Sequence, residues 1–423
     1  MATTTIPIGS DRAAKIYGAG LFTEQQRLRS FRKPLMGDMP KLSESEDKMK
    51  GQSKPGKPIV QAMDLAQQAG DEVIVDLFNT IHGKPIIGDR NLSGRMMDLT
   101  HSSMRIRIDQ YRGGVNTGGR MSQKRTIHNL RKIALGQIAG WNSRLEDNLC
   151  QVHLSGARGY ENTRDWEVPL VDDPDFDKIV INEVKPPTPN RRMFAGDDNE
   201  SIEDLEQGDK LTFQTVERIR AQLDEMEFPL QPIQYEGDPA AEDEPLYVLY
   251  VTSRQWYYMK DTASDRDWRG FLQNAWERAS SWEGQGKRHP LFTGSPGMWE
   301  GILIRKVRRA VRFPEGQTVQ EINKDTGEVE DKTANVDTDR AILLGAEALG
   351  VAWGMDARTR YPYNWHEELT DHRNRLEVSS SAIGGKAKIR FETPDGEEVD
   401  HGVMTIDSEA PEVPGTEGAK VAA

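Results

Sequence analysis

SQKRTIHNLRKIALGQIAGWNSRLEDNLCQVHLS, residues 122–155, is the stretch on which the fold turns. Within it Ile127, Leu130, Ile133, Ala134, Ile138, Trp141, Leu145, Leu149 and Val152 recur three or four residues apart, which lines them up along one side of an α-helix. Ser122 offers an N-cap and Gly156 a stop. At about 1.5 Å per residue, a helix of roughly 33 residues reaches about 50 Å, so it needs an elongated domain to lie along. Gly136 and Gly140, four apart, would let another backbone come close.

Toward the N-terminus the chain thins out. Residues 33–58 read KPLMGDMPKLSESEDKMKGQSKPGKP, with too few apolar side chains to offset the entropy of ordering alone. This arm is expected to become ordered only by lying on another surface. A strand follows at Glu72–Phe78. Further on, Met104, Ile106 and Ile108 alternate with Arg105, Arg107 and Asp109, the period-two pattern of a strand. The glycines of GGVNTGG, residues 113–119, then read as a break. Residues 83–120 thus form a long two-stranded excursion with little core of its own, and such a ribbon is marginal without a partner surface.

Beyond the helix, residues 160–210 are turn-rich. A second helix is predicted over Leu211–Met226, an apolar strand over Leu246–Val251, and helices over 253–261 and 266–283. A strand over Trp299–Arg305 precedes a polar insertion, 314–340, with a hairpin tip at Lys324–Glu328. Ala341–Trp353 reads as one apolar strand. Lys386–Phe391 and Val399–Ile406 read as a closing hairpin about Pro394-Asp-Gly396, and a mobile acidic tail is expected from Asp407. No repeat of fixed period occurs.

Composition narrows the function. The 423 residues carry 55 Lys and Arg against 68 Asp and Glu, a net charge of −13. Residues 1–60 are nonetheless basic, with 11 cations against 6 anions. The acidic body argues against general nucleic-acid binding, and the basic arm reads either as docking onto a neighbouring copy or as a solvated terminus. Only 36% of residues are apolar and the mean hydropathy is −0.70, which points to surface completed at interfaces rather than to one large core. No run of 18 apolar residues would span a membrane, and Cys150 is the single cysteine, which excludes a disulfide framework.

Chemistry-bearing motifs are sparse. No phosphate-cradling glycine loop and no nucleophile elbow sits in a strand-to-helix context. The carboxylates Asp197, Asp198, Glu200, Glu203, Asp204, Glu206 and Asp209 lack the spacing of a calcium loop and read as a solvated acidic loop. His366 and His372, with Glu367, Glu368 and Asp371 between them, do not share a helix face as an i, i+4 pair would. His128, His153 and Cys150 read as packing residues on or beside the helix, and Trp256-Tyr257-Tyr258 as core rather than a base-stacking platform. No catalytic, cofactor or metal residue is expected.

The order of these features, arm, excursion, long helix, α/β unit and closing strands, resembles the Johnson (Hong Kong 97) capsid fold of tailed phages. More narrowly the chain is similar to the major capsid family of coliphages of the N-four type. The residues carrying the likeness are Arg105-Ile-Arg-Ile-Asp-Gln-Tyr-Arg112, Leu130 to Trp141, Phe194-Ala-Gly196, Tyr247–Thr252, Trp268-Arg269, His289-Pro-Leu-Phe-Thr-Gly294 with Gly297-Met-Trp-Glu-Gly301, and Gly385-Lys386.

The resemblance implies an α+β fold with an N-terminal arm (1–70), an extended loop and flanking strands (71–120), a peripheral domain with the spine helix (121–210), an axial domain (211–365), returning peripheral strands (366–406) and a flexible tail (407–423). It implies a major capsid protein, not an enzyme and without cofactor. Such a subunit self-assembles as hexamers and pentamers into an icosahedral shell around double-stranded DNA, in the cytoplasm of a host bacterium. Portal, scaffolding and decoration proteins are the implied partners. Arg105, Arg107 and Arg112 are the candidate inter-subunit contacts. No long helical pro-segment precedes the arm, so a separate scaffolding protein is expected. Three rival readings are a cargo-carrying shell of non-viral origin, a metal-dependent hydrolase built on the acidic run or the His366–His372 cluster, and a tail or fibre protein.

Overall fold

The computed structural model describes residues 8–27, 30–37, 53, 56–62, 71–78, 84–88, 101–235, 244–280, 289–354, 362–393 and 397–415. Its frame is set by α1 (Asp11–Arg27) and α3 (Leu130–Ser155), with a short α2 (Arg120–Arg125) leading into α3. The long helix therefore starts later than its apolar stripe suggests. Asn129 rather than Ser122 caps it, its side-chain oxygen accepting from the Lys132 amide at 3.2 Å. Ile127 falls in the break and is fully exposed. A side-chain cap is worth about 1 kcal/mol, whereas the Thr126-Ile127-His128 run is a poor helix former. At the far end Gly156 adopts φ 66°, the left-handed stop expected.

Two sheets pack on this frame. In the five-stranded sheet, β1 (Ile59–Ala62) runs parallel to β13 (Leu349–Gly354). The long β15 (Arg375–Lys388) pairs antiparallel with β13, with β14 (Tyr363–Thr370) and, along its other edge, with β4 (Asp109–Gly119). The seven-stranded sheet runs β5 (Arg192–Phe194), β18 (Val403–Glu409), β12 (Thr338–Leu344), β6 (Tyr247–Val251), β8 (Ile302–Lys306) and β7 (Gly297–Trp299). In it β9 (Val311–Phe313) takes the part of β12 that β6 leaves unpaired. Three two-stranded ribbons complete the set: β2 (Glu72–Phe78) with β3 (His101–Arg107), β10 (Thr318–Ile322) with β11 (Val329–Thr333), and β16 (Arg390–Glu392) with β17 (Glu398–Asp400).

The unbroken apolar run of β6 is explained by burial on both faces. Val248 and Tyr250 face Ile138, Cys150 and Leu154 of α3. Tyr247, Leu249 and Val251 face a second core made by α5 (Phe213–Glu225), α6 (Ser253–Thr262) and α7 (Asp265–Ser280). Trp256 belongs to that core, its ring 5.4 Å from Trp268 and 5.6 Å from Phe271, and Tyr258 is buried, whereas Tyr257, read from sequence as core, is exposed. A third core joins Leu145, Leu149 and Val152 of α3 to Trp166, Val168 and α4 (Phe176–Val180).

Several sequence expectations are corrected. The GGVNTGG stretch does not break the chain; it is the body of β4. Gly113 crosses the indole of Trp141 on α3, and a Cβ there would fall onto that ring, so the glycine permits the strand to lie flat on the helix. Ala341–Trp353 is not one strand but two in different sheets, split at Gly345, where a Cβ would sit 2.5 Å from the Gln231 carbonyl oxygen. The Trp299–Arg305 strand is the hairpin β7–β8, turning through Glu300 and Gly301 at φ 47° and 73°. The closing hairpin also divides. β16 and β17 pair with each other, whereas β18 crosses to the seven-stranded sheet, and Pro394–Gly396 lie outside the described residues. The tail is anchored beyond Asp407: Arg254 Nη1 donates to the Ala410 carbonyl at 2.9 Å and the Tyr258 hydroxyl to that of Glu412 at 3.1 Å. The arm, where described, docks on its own chain. Ala13, Ala14, Leu21 and Leu35 are buried and β1 adds to the sheet; residues 38–52 lie outside the described set.

Asp407 and Arg340 form a bidentate ion pair at 2.6 and 2.7 Å, both side chains fully buried, and Arg340 also reaches the Ser155 carbonyl at 3.1 Å. This pair ties β12 and β18 to the end of α3. Replacing Arg340 with Met should cost about 3–5 kcal/mol because Asp407 would stay buried without its counter-charge, while R340M/D407L should recover most of that loss. Urea unfolding of the subunit measures both, and equal losses in the single and double variants would contradict the pairing.

Candidate assembly interface

The β2–β3 ribbon owes its position to alternation along β3. Ile106 is fully buried against Val60, Val73, Val75, Ala352 and Ile389, while Arg105 and Arg107 on either side of it point outward. Arg105 reaches Glu72 across the ribbon at 3.6 Å, an exposed pair worth at most about 1 kcal/mol. Arg107 is held by its backbone: its amide donates to Asn182 Oδ1 and its carbonyl accepts from Asn182 Nδ2, both at 2.9 Å. Its side chain is left exposed. Arg112 lies on β4 in register with Ser381 of β15 and is also exposed. The fold thus sets Arg105 and Arg107 on one face of the ribbon and Arg112 on the next strand.

Other functional residues were missed by sequence reasoning. From Leu145 to Ser155 every residue of α3 is buried, so its charged members need internal partners. Glu146 receives Lys386 Nζ at 2.9 Å, Arg32 Nη1 at 3.3 Å and the Tyr111 hydroxyl. Its neighbour Asp147 takes the Ser30 hydroxyl, Arg32 Nε at 3.2 Å and Arg309 at 3.7 Å. Two adjacent carboxylates therefore join the arm, the extended-loop strand, the returning strand and the loop before β9. The available signal was a charged pair inside a helical apolar stripe.

Glu367 fastens the arm a second time. It is the buried member of the His366–His372 group, accepting from Arg131 Nε and Nη2 at 2.5 and 2.6 Å and from the Gly9 amide at 3.3 Å. Nearby Tyr17 of α1 stacks on Trp365 at 5.5 Å, and the Arg131 guanidinium lies 4.4 Å over the Tyr17 ring. His366 points the other way, to solvent. In the acidic run Asp209 accepts from Asn199 Nδ2 at 2.8 Å and from the Glu206 amide at 2.9 Å, and Asp204 closes a capping box with Ser201. Those carboxylates shape their own loop. Among the described residues no three His, Cys, Asp or Glu side chains are placed to hold a metal ion. Cys150 is buried, which pushes its thiol up to about 12. Burial, then the charge of Lys386, pushes His153 down to about 3.

Residues 5–412 match the family described as phage capsid protein. The chain belongs to that family. The major capsid protein of Pseudomonas phage KPP25 is 24% identical over 348 residues, covering 80% of this chain and 84% of the relative. The capsid of Ralstonia phage GP4 is 25% identical and superposes with a TM-score of 0.69, covering 97% of this chain and 99% of that one. The capsid of Cyanophage Pam1, 15% identical, shares the fold at a TM-score of 0.56 over 97% and 96% of the two chains. This phage capsid protein has the α+β, Hong Kong 97-like fold. Membership in a structural family sets aside the hydrolase reading, and no described helix of the capsid protein is long and apolar enough to cross a membrane.

The Glu367 latch responds to acid. Burial raises its pKa, but the hydrogen bonds and charge of Arg131 and the Gly9 amide outweigh burial and hold it below the ordinary 4.5. A carboxylate depressed in the folded state contributes stability that is complete above the ordinary value and lost as pH falls through the lowered one. Between about pH 6 and pH 3.5 the urea midpoint of the parent should therefore fall more steeply than that of Glu367→Gln. Parallel curves would remove Glu367 from the acid response.

Proposed function

We propose that this chain is the major shell subunit of a tailed double-stranded DNA phage. It assembles in the host bacterial cytoplasm as hexamers and pentamers that close into an icosahedral capsid, together with portal, scaffolding and decoration proteins. The reading is carried by the match to the phage capsid family over nearly the whole chain. Within it, residues 1–70 serve as the arm, 71–120 as the extended loop with its flanking strands, 121–210 with the five-stranded sheet as the peripheral domain about α3, and 211–344 with β18 as the axial domain, so that the boundaries expected at 365 and 406 move to the sheet crossings. The tail follows β18, which ends at Glu409.

The physical task is repeated self-association. Contacts between unlike patches close into rings when the rotation permits and build a shell from rings. Individually modest contacts suffice because each subunit makes many. Arg105, Arg107 and Arg112 are assigned to contacts with carboxylates of an adjacent copy. Reversing Arg105 and Arg107 to Glu should abolish shells while leaving the urea midpoint of the subunit within about 1 kcal/mol of the parent, since only the exposed Glu72 pair is lost inside the chain. Normal shells from that variant, seen by negative-stain microscopy, would remove both residues from the interface.

DNA is enclosed rather than gripped. With a net charge of −13 the wall repels the phosphate backbone, and packaged DNA can slide along it. The purified subunit should bind duplex DNA no tighter than about 10⁻⁴ M at physiological salt. Submicromolar binding would contradict this role.

A further inference from the structure

Residues 105–132 carry eight Lys and Arg and one acid, Asp109, in a chain that is acidic as a whole. The second half of this segment is the α2–α3 turn, where Arg120, Lys124, Arg125 and Lys132 are all exposed. Among the described residues none of these four, nor Arg112, makes an ion pair. Interleaved with them are Ile127, fully exposed, and Met121, 62% exposed. The first turn of α3 holds no acid and contains Arg131 and Lys132. Cations at a helix N-terminus oppose the helix dipole, so this charge works against the helix that follows it. Its compensation lies outside the segment.

The complementary surface is at the other end of α3. Residues 196–209 contain seven acids and no cation, and 315–333 contain six acids and two cations, Lys324 and Lys332, the second paired with Glu203 and Glu330. The structure joins these two segments into one face. The Ile202 amide donates to Glu321 at 3.2 Å, the Thr333 amide to Glu203 at 3.2 Å, and Asn335 Nδ2 to the Leu205 carbonyl at 3.1 Å. Ile202, Leu205 and Val319 pack with Val152 of α3, and the Tyr160 hydroxyl donates to the Thr318 carbonyl at 3.0 Å, which fixes the face beside the C-terminal end of the helix. Asp197, Asp198, Glu206, Asp325 and Glu328 are exposed there, while Asp331 and Val329, 53% exposed, lie on the opposite side of the hairpin, next to its tip.

We propose that the basic α2–α3 turn of one copy docks on the acidic face around the β10–β11 hairpin of a second copy. The 26 residues of α3 hold the two surfaces at opposite ends of a rod of about 39 Å, so a copy cannot satisfy itself. Two unlike surfaces on one rigid body make a head-to-tail contact, the kind that closes into rings. The exposed Ile127 and Met121 favour protein over nucleic acid as the occupant, because a phosphate backbone offers them nothing apolar whereas Val329 does. This contact rests on the shell-subunit reading above and adds an interface distinct from that of Arg105 and Arg107.

The test is complementation of a phage lacking its own functional copy of this gene, with particles counted by gradient sedimentation and microscopy. The parent chain should restore particles; failure to do so would overturn the shell-subunit reading itself. K124E/R125E and D325K/E328K should each lower the particle count at least ~tenfold, since like charges facing one another cost several kcal/mol. The four substitutions together should return it to near the parent level. Circular dichroism and urea midpoints of the subunits establish that each variant folds. Parent-level particles from both pairs, or no rescue by the combination in folded protein, would overturn the contact. Normal empty shells from K124E/R125E with little packaged DNA would overturn it in favour of a nucleic-acid surface.

Discussion

A helix buried on every side can hold charge only where the fold brings a counter-charge to it, and that requirement organises this molecule. Glu146 and Asp147 sit on the stretch of α3 that is buried throughout. Removing a carboxylate from water costs several kcal/mol unless ion pairs and hydrogen bonds replace its hydration. Their partners come from Arg32 in the arm, Tyr111 in β4, Lys386 in β15 and Arg309 before β9. Segments far apart in the chain are thus committed to one arrangement about the helix. Apolar packing supplies most of the driving force here as elsewhere, but apolar surfaces tolerate slippage, and paired buried charges do not.

The same logic recurs at two other buried acids. Asp339 takes Arg312 at 2.5 and 2.9 Å and the Thr252 hydroxyl at 2.6 Å. Asp400 takes Lys388 at 2.8 Å, Arg390 at 2.5 Å and the Thr188 amide at 3.1 Å. Burial is the main reason Lys388 drops to about 8, with Asp400 working against that fall. Each acid gathers donors from at least two elements. A subunit that must present several surfaces at once, each to a different neighbour, benefits from such a body, because the geometry of its contacts is then set before any neighbour arrives.

What could be read from the sequence follows the range of the interactions involved. The body of α3 and the outward arginines of β3 are local periodicities, and both are present in the structure. The start of α3 was misplaced because Ser122 and Asn129 are both good caps, and only the poor helix formers between them decide. The arm looked unable to order itself because composition cannot show that Leu21 and Leu35 fit a groove on their own chain. The tail looked mobile because its composition is acidic and rich in turn formers, while the partner that holds Asp407 is Arg340, 67 positions earlier. The Glu146–Asp147 pair stands out as charge inside the apolar stripe, but its partners are unreadable for the same reason. The acidic run near residue 200 was legible as charge, but its nearness to the hairpin of the polar insertion was not.

Strand β18 has a consequence for how the molecule is made. It pairs along its whole length with β12 and on its far side with β5, so the last strand among the described residues lies inside the seven-stranded sheet rather than at its rim. Until the ribosome has released those residues, β5 has no neighbour and Arg340 no carboxylate. A chain cut short before Val403 cannot close that sheet, because β12 and β5 would each lose the strand that joins them.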